Sequence, residues 1–356
     1  MRILLEGYFD RNFGDDMMLR IVMDALQQHT FYSCVERREL LLPFRHVKNF
    51  RALAADDAVA TFDVVLRVTG SGFMIHSKVG ALYTLLRILA MRKAGKGLRL
   101  RAVIGCNIGP LKGRLATWLT DWELKQYGLI TVRDSESERY LRLHRCKMPF
   151  EQYPDILFSL PDKWIPEQTG EGCLGISAYR ATGDVEKRKN YHAYCEIAKL
   201  CDQYVAHHHK KVLLFAFDIE GENDLGAAYT IYHMCQHRDM LEIIAHTDDG
   251  SAVLRGYSRC SSVVGIRFHS IVLAMRMGLP FVPICYSKKT EAMLDDLGYR
   301  GPRFYYGSFC ADSVCDALEL AKPFEIESLS ELAYGHIRAF EHALEKEAVC
   351  NDDKKA

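Results

Sequence analysis

The chain has 356 residues, of which 49% are hydrophobic and 26% charged, and 46 Lys and Arg balance 46 Asp and Glu. That length suits about two domains, and the composition excludes a disordered, collagenous or low-complexity chain, because enough apolar surface is available to offset the entropy of ordering. Zero net charge argues against a general polyanion binder, so no nucleic-acid partner is expected. Twelve cysteines are scattered from Cys34 to Cys350 with no C-x-x-C pair. Neither a zinc-ribbon nor a redox spacing is present, and they read as buried apolar residues in a reduced compartment. The N-terminal apolar run Ile3-Leu4-Leu5 meets Glu6, too early for a signal peptide. The most apolar window, Val79–Met91, is interrupted by Arg87 and falls short of a membrane span. A cytoplasmic protein is expected.

Taken in chain order, Arg2–Glu6 is a short apolar strand, a polar Gly-containing loop follows, and Asp15–Gln28 carries Met18, Ile21, Val22 and Leu26 on one helical face. The pattern recurs with strand Val64–Thr69, turn Gly70-Ser71-Gly72, helix Ala81–Arg92, strand Leu98–Ile104, helix Arg114–Gln126, strand Leu129–Val132 and helix Ser135–Leu143. Four prolines at 149, 154, 161 and 166 then break the periodicity, which reads as an interdomain connection over Pro149–Gly172. Alternation restarts with strand Cys173–Ala178, helix Asn190–Ala206 and strand Lys211–Phe217, and continues to helix Lys289–Leu297. A last helix, about Leu329–Glu347, can pack back across the junction. Such alternation specifies parallel sheets wrapped by helices. The expected architecture is α/β, with two Rossmann-like domains facing a cleft: residues 1–160, residues 161–328, and a C-terminal helix and tail over 329–356.

The strongest local constellation is Gly265-Ile266-Arg267-Phe268-His269-Ser270, where a strand ends and a helix begins. Ligands of open parallel sheets bind at the carboxyl ends of strands. A guanidinium recognises carboxylate or phosphate bidentately, and an imidazole titrates near working pH. The bland alternative is a helix cap and an interdomain ion pair. Lys288 and Lys289 open a helix against its dipole, which suits either a bound anion or a solvated surface turn. Asp15 and Asp16 fit N-capping of the first helix. No G-x-G-x-x-G and no Walker A motif occurs. His207-His208-His209 reads as complementing a helix C-terminus, and the acidic run Asp218, Glu220, Glu222, Asp224 as a solvated loop. Arg87–Arg101 is basic without an acid and lies beside an apolar helix. That is a candidate contact for an anionic membrane surface or a solvated helix end.

Together these motifs resemble the polysaccharide pyruvyl transferase family from about Met1 to Leu297. The family's first-loop N-x-G-D is matched by Asn12-Phe13-Gly14-Asp15. Its G-x-x-x-G-P-L and v-R-D-x-x-S patterns look like Gly105–Leu111 and Val132–Ser137, and the aspartate after the linker resembles Asp155. Its R-x-H, G-x-P and Y-x-x-K look like Arg267–His269, Gly278–Pro280 and Tyr286–Lys289. One motif departs: the usual glycine triplet reads Gly70-Ser71-Gly72.

The resemblance implies a GT-B-like fold and a cytoplasmic enzyme, at the cytoplasmic membrane face where its acceptor is lipid-linked. It implies transfer of pyruvate from phosphoenolpyruvate to two sugar hydroxyls as a cyclic ketal, in exopolysaccharide or cell-surface glycan synthesis. Phosphoenolpyruvate is a co-substrate, and neither a separate cofactor nor a metal is called for. His269 is the expected acid/base, Arg267 orients the donor, and Arg180 and Lys288 complete its cationic pocket. By fold analogy Asn12, Gly14, Asp15, Gly70, Ser71 and Gly72 face the acceptor. The competing readings are a nucleotide-sugar glycosyltransferase on the same fold and a non-catalytic component of a glycan assembly complex.

Overall fold

The computed structural model describes residues 1–35, 37–53, 62–75, 77–94, 97–182, 186–326 and 328–352, so Lys96 of the basic segment and the last four residues lie outside the described residues. Contacts divide the chain into two units. Met1–Tyr8, Met18–Ser159 and the chain from Glu331 on form the first, and Phe9–Met17 with Leu160–Ser330 form the second.

The first unit is built on seven parallel strands, β1 (Arg2–Glu6), β2 (Thr30–Cys34), β3 (Phe50–Leu53), β4 (Val64–Val68), β5 (Leu100–Cys106), β6 (Leu129–Val132) and β7 (Phe150–Gln152), in the order β3-β2-β1-β4-β5-β6-β7. Every residue of β6 is buried, as are all but Arg67 in β4 and all but Arg101 in β5. Strands covered on both faces read as continuous apolar runs, and these do. Helices α1 (Phe13–Ala25), α2 (Lys78–Ala94), α3 (Arg114–Leu124) and α4 (Ser135–Leu143) connect them.

The second unit carries six parallel strands, β8 (Cys173–Ser177), β9 (Val212–Ala216), β10 (Leu241–Ala245), β11 (Cys260–Gly265), β12 (Phe281–Cys285) and β13 (Phe304–Tyr305), in the order β10-β9-β8-β11-β12-β13. Its helices are α5 (Glu186–His208), α6 (Asp224–Met234), α7 (Ser251–Tyr257), α8 (Phe268–Arg276), α9 (Lys288–Asp296) and α10 (Ala311–Leu320), and the chain passes back to the first unit within α11 (Leu329–Ala333). Counted within each unit, both sheets open with the Rossmann order 3-2-1-4-5-6. The fold class is therefore α/β with two Rossmann-like units.

Three expectations change. The stretch expected as a connection, Pro149–Gly172, contains β7 and a buried 3₁₀ turn, Ile156–Ser159, so its first part is built into the first unit. The C-terminal helix is broken after Ala333. Its longer part, α12 (Gly335–Asp352), lies against β5 and β6, with His336 Nδ1 2.6 Å from the Thr131 hydroxyl and Nε2 2.9 Å from the Pro154 carbonyl oxygen. The acidic run is not a solvated loop, because Asp218 is 4% exposed and Asp224 is fully buried.

Candidate functional site

In the second unit the strand order reverses between β8 and β11, and the crevice beyond their carboxyl ends is where such sheets bind ligands. Ser177, the last residue of β8, ties this point together. Its hydroxyl oxygen accepts from the backbone N–H groups of Ile266 and Arg267 at 2.6 and 3.0 Å. The chain then turns directly into α8, where the Ser270 hydroxyl donates to the Arg267 carbonyl at 2.6 Å. Arg267 and His269 are thus carried on backbone fixed from both sides.

The Arg267 side chain is 8% exposed. Its Nε donates to Asp224 Oδ2 at 2.8 Å and its Nη2 to Asp224 Oδ1, while Nη1 donates to Glu222. The guanidinium also lies 4.6 Å from the centroid of the Tyr179 ring. Burial works against its charge, but Asp224 first and Glu222 after it outweigh burial and hold it protonated. At Asp224 the balance is the reverse: burial dominates and pushes its carboxyl up to about 6 against the opposing pull of Arg267.

His269 is half-buried, and a Cβ on Gly14 would stand 1.7 Å from its Nδ1. The imidazole fills the space that any side chain at position 14 would need. The Gly14 loop is held on this unit by an antiparallel bridge between Asn12 and Asp218, and by a 2.8 Å bond from Phe13 N–H to the Phe217 carbonyl. The Asn12 side-chain oxygen accepts from Gly14 N–H at 3.1 Å, which makes Asn12 the capping residue of α1. Asp16, expected as a cap, is fully buried 2.8 Å from Nε2 of an equally buried His246. Asp10 of the same loop is pushed up to about 6, by burial first and then by Asp218 and Asp16.

Beside this constellation a pocket of about 420 Å³ is lined by Tyr179, Lys189, Tyr286, Ser287, Lys288 and Tyr305 among others. Tyr179 joins the two, since Arg267 lies over its ring and the Tyr286 ring is 4.3 Å away. A larger groove of about 620 Å³ runs along α5 past Tyr191, Lys199, Asp202 and His237. Among the described residues it collects His207 of the histidine run but neither Arg267, His269 nor Lys288 and no strand end, so the smaller pocket is the better ligand site.

In the first unit the remaining motifs converge on Arg133. Its Nη1 donates to Asp155 Oδ2 at 2.6 Å and its Nη2 to Asn107 Oδ1 at 3.5 Å, with both members of the ion pair almost sealed from solvent. A Cβ on Gly70 would stand 2.7 Å from Arg133 Nη1. Asp134 caps α4, accepting from Ser137 N–H at 2.8 Å and from the Ser137 hydroxyl at 2.9 Å. That hydroxyl in turn accepts from Ile108 N–H at 2.8 Å. Gly72 N–H donates to the Asn107 carbonyl at 3.2 Å, and the Ser71 carbonyl accepts from the Tyr8 hydroxyl at 3.0 Å.

Residues 12–288 match the polysaccharide pyruvyl transferase family. The chain belongs to that family. No curated protein matches it in sequence. Among solved structures it is similar to UDP-GlcNAc 2-epimerase from Methanocaldococcus jannaschii, at 8% identity and TM-score 0.60 over 96% of this chain and 99% of that one. It is also similar to UDP-GlcNAc 2-epimerase from Neisseria meningitidis bound to UDP-GlcNAc, at 11% identity and TM-score 0.56 over 97% and 99%. Anabaena HepE in complex with UDP and glucose matches at 11% identity and TM-score 0.54 over the full length of both chains. These likenesses establish the fold, which is GT-B-like.

Within this pyruvyl transferase family member, the N-x-G-D and R-x-H motifs form one constellation. Sequence reasoning had grouped Asn12, Gly14 and Asp15 with Gly70, Ser71 and Gly72. The structure assigns the first three to the unit of His269, because Phe13 inserts fully buried with its ring 5.1 Å from Phe217 and 5.5 Å from His246. Asp15 is half-buried in the first turn of α1. Lys288 lines the pocket. Arg180 follows Tyr179 and is exposed, but it does not line that pocket. Sequence reasoning missed Asp10, Lys189, Tyr179 and Glu222. The alternation of acids from Asp218 to Asp224 was the available signal for the last.

Proposed function

We propose that this chain transfers pyruvate from phosphoenolpyruvate to two hydroxyls of a glycan sugar as a cyclic ketal, releasing phosphate. The observation that carries this reading is the seating of His269 against Gly14, which joins two motifs of the family at the sheet crevice beside a pocket bearing two lysines. The donor's carboxylate and phosphate call for fixed cations, and Lys288, Lys189 and the outer edge of Arg267 supply them.

His269 delivers a proton to the methylene carbon, positive charge develops at C2, and one sugar hydroxyl attacks there. Phosphate leaves with the electrons of its C–O bond, and the second hydroxyl closes the ring. Of the two hydroxyl protons, one restores His269 and the other departs with phosphate. Asp10, whose carboxyl burial pushes up to about 6, lies two residues before Asn12 in the loop that seats Gly14 against His269, and it is the second group of this site suited to carry a proton.

Thermal melts with phosphoenolpyruvate, run beside UDP- and GDP-sugars, test the donor, because a ligand of the folded state raises Tm once its concentration exceeds Kd. The expected result is stabilisation by phosphoenolpyruvate that disappears in Lys288→Ala. Lys288 is exposed, so its loss leaves the fold intact, whereas Arg267→Ala would strand the buried Asp224. Replacing His269 by Ala should lower turnover about 10²- to 10⁴-fold at saturating donor. The solved relatives carry UDP or UDP-sugars. Stabilisation by a nucleotide sugar alone would therefore replace pyruvyl transfer with the glycosyltransferase reading.

A further inference from the structure

From Val64 to Thr120 the sequence holds ten Lys and Arg and no Asp or Glu, in a chain whose overall charge is zero. This stretch includes α2 and α3 up to Thr120, and the two helices share a small core of Ala81, Ile88, Ala116 and Leu119, with Leu85 and Trp122 packed partly buried against it. The other side of α2 is apolar too. Val79, Leu82, Tyr83, Leu86 and Leu89 recur at helical spacing and are between 48% and 77% exposed. On α3, Leu115 and Trp118 are 60% and 56% exposed. The Trp118 ring lies 5.2 Å from that of Trp122, so the exposed surface continues over the shared core.

Exposed Lys78, Arg92, Lys93, Lys112 and Arg114 stand at the ends of the two helices. Lys78, Lys112 and Arg114 open their helices, where positive charge opposes the dipole, so helix stability does not account for them. The acids of α3 do not neutralise this rim. Glu123 is buried and paired with Arg67 and Arg87, and Asp121 accepts from the Tyr140 hydroxyl and lies 2.8 Å from His144 Nδ1.

We infer that the α2–α3 face of the first unit docks on an anionic lipid bilayer. The leucine stripe enters the acyl boundary, Tyr83 and Trp118 sit at headgroup level, and the basic rim meets lipid phosphates. Charge complementarity selects this occupant. A second copy paired through the same face would bring two basic rims together, whereas an anionic surface neutralises one. No helix among the described residues is long and apolar enough to cross a membrane, so the contact is peripheral. The inference does not rest on the donor or the acceptor of the proposed reaction.

Co-sedimentation of the full chain with vesicles of phosphatidylcholine alone, or mixed with phosphatidylglycerol, tests it without substrate present. Binding should require phosphatidylglycerol and weaken with salt. Losing two rim charges in Arg92→Gln/Lys93→Gln should weaken binding roughly 30-fold, at about fivefold per charge. Leu86→Ser should weaken it about tenfold. Both changes are at exposed positions, and unchanged melting of the free variants shows that the fold is kept. Emission should shift to the blue on binding, and Trp118→Phe should remove that shift. Absence of binding to the mixed vesicles overturns the proposal, as does binding that both variants leave unchanged. So does a dimer in sedimentation equilibrium that Leu86→Ser dissociates, which would give the face to a second copy.

Discussion

Arg133 and Arg267 both leave a buried strand, both open onto a helix, and both have guanidinium groups nearly closed to solvent, with side chains 5% and 8% exposed. Their partners differ. Arg133 is met by Asp155, itself 1% exposed, and by a glycine whose missing side chain makes the room. Arg267 is met on one edge by fully buried Asp224 and on the other by Glu222, whose side chain is 38% exposed. A buried arginine paired with a carboxylate that is itself sealed from solvent fits a part of the architecture. One whose outer partner faces solvent can exchange that partner for an anionic ligand. We propose accordingly that Arg133 is a structural lock and Arg267 a group that can meet a ligand.

The largest effect should come from breaking the lock. Asp155→Ala removes the sealed carboxylate paired with buried Arg133, and breaking a buried pair from one side typically costs about 3–5 kcal/mol. Urea unfolding should show a loss of that order, and a loss below about 1 kcal/mol would mean that water already serves Arg133. Next in size is Gly14→Ala in the second unit. The added methyl displaces the His269 ring, and a misplacement of about 1 Å can cost 10²-fold in rate. Turnover should fall by about that factor with the melting temperature nearly unchanged. Full activity in Gly14→Ala would detach His269 from the chemistry.

His336 makes the lock of the first unit sensitive to pH. Burial lowers its pKa from 6.5 to about 4, so it stays neutral in the fold while the unfolded chain takes up a proton. Its contribution is complete above pH 6.5 and is lost progressively as the pH falls toward 4. At pH 5 the loss is about 2 kcal/mol by linkage. His336→Gln should flatten the change in urea midpoint between pH 7 and pH 5. An unchanged slope would assign the acid sensitivity to the carboxylates.

The alternation of elements was legible because the central strands β4, β5, β6, β8, β9 and β12 are mostly apolar runs that tolerate burial on both faces, and β11 ends in one, Val263-Val264. The outer strands β2, β3, β7 and β13 were not. Thr30–Cys34 alternates buried and less buried positions, and Phe304–Tyr305 is only two residues long, so neither stands out from a loop. The Arg267–His269 pair was legible from its place after a strand. Its partnership with Gly14 was not, since no local pattern records which unit a loop joins. The outward side of α2 was not legible either. The sequence marks Ala81–Arg92 as an apolar helix without saying which side is covered, and in the structure Leu82, Leu86 and Leu89 are exposed.

The smallest effect is the sharpest test of the exchange at Arg267. If the donor anion takes the place of the Glu222 carboxylate on Nη1, then Glu222 competes with the donor, and Glu222→Gln removes the competing charge while keeping a hydrogen-bonding side chain. A partly exposed ion pair of this kind contributes about 0.2–1 kcal/mol, so the apparent Kd for phosphoenolpyruvate should fall by up to about fivefold. Stability should change by no more than the same amount, because Asp224 still holds the inner edge. Asp224→Asn should instead destabilise the unit more than it alters donor affinity. Weaker donor binding in Glu222→Gln would reverse the assignment and make Glu222 a second positioning group for Arg267, leaving the donor anion to Lys189 and Lys288.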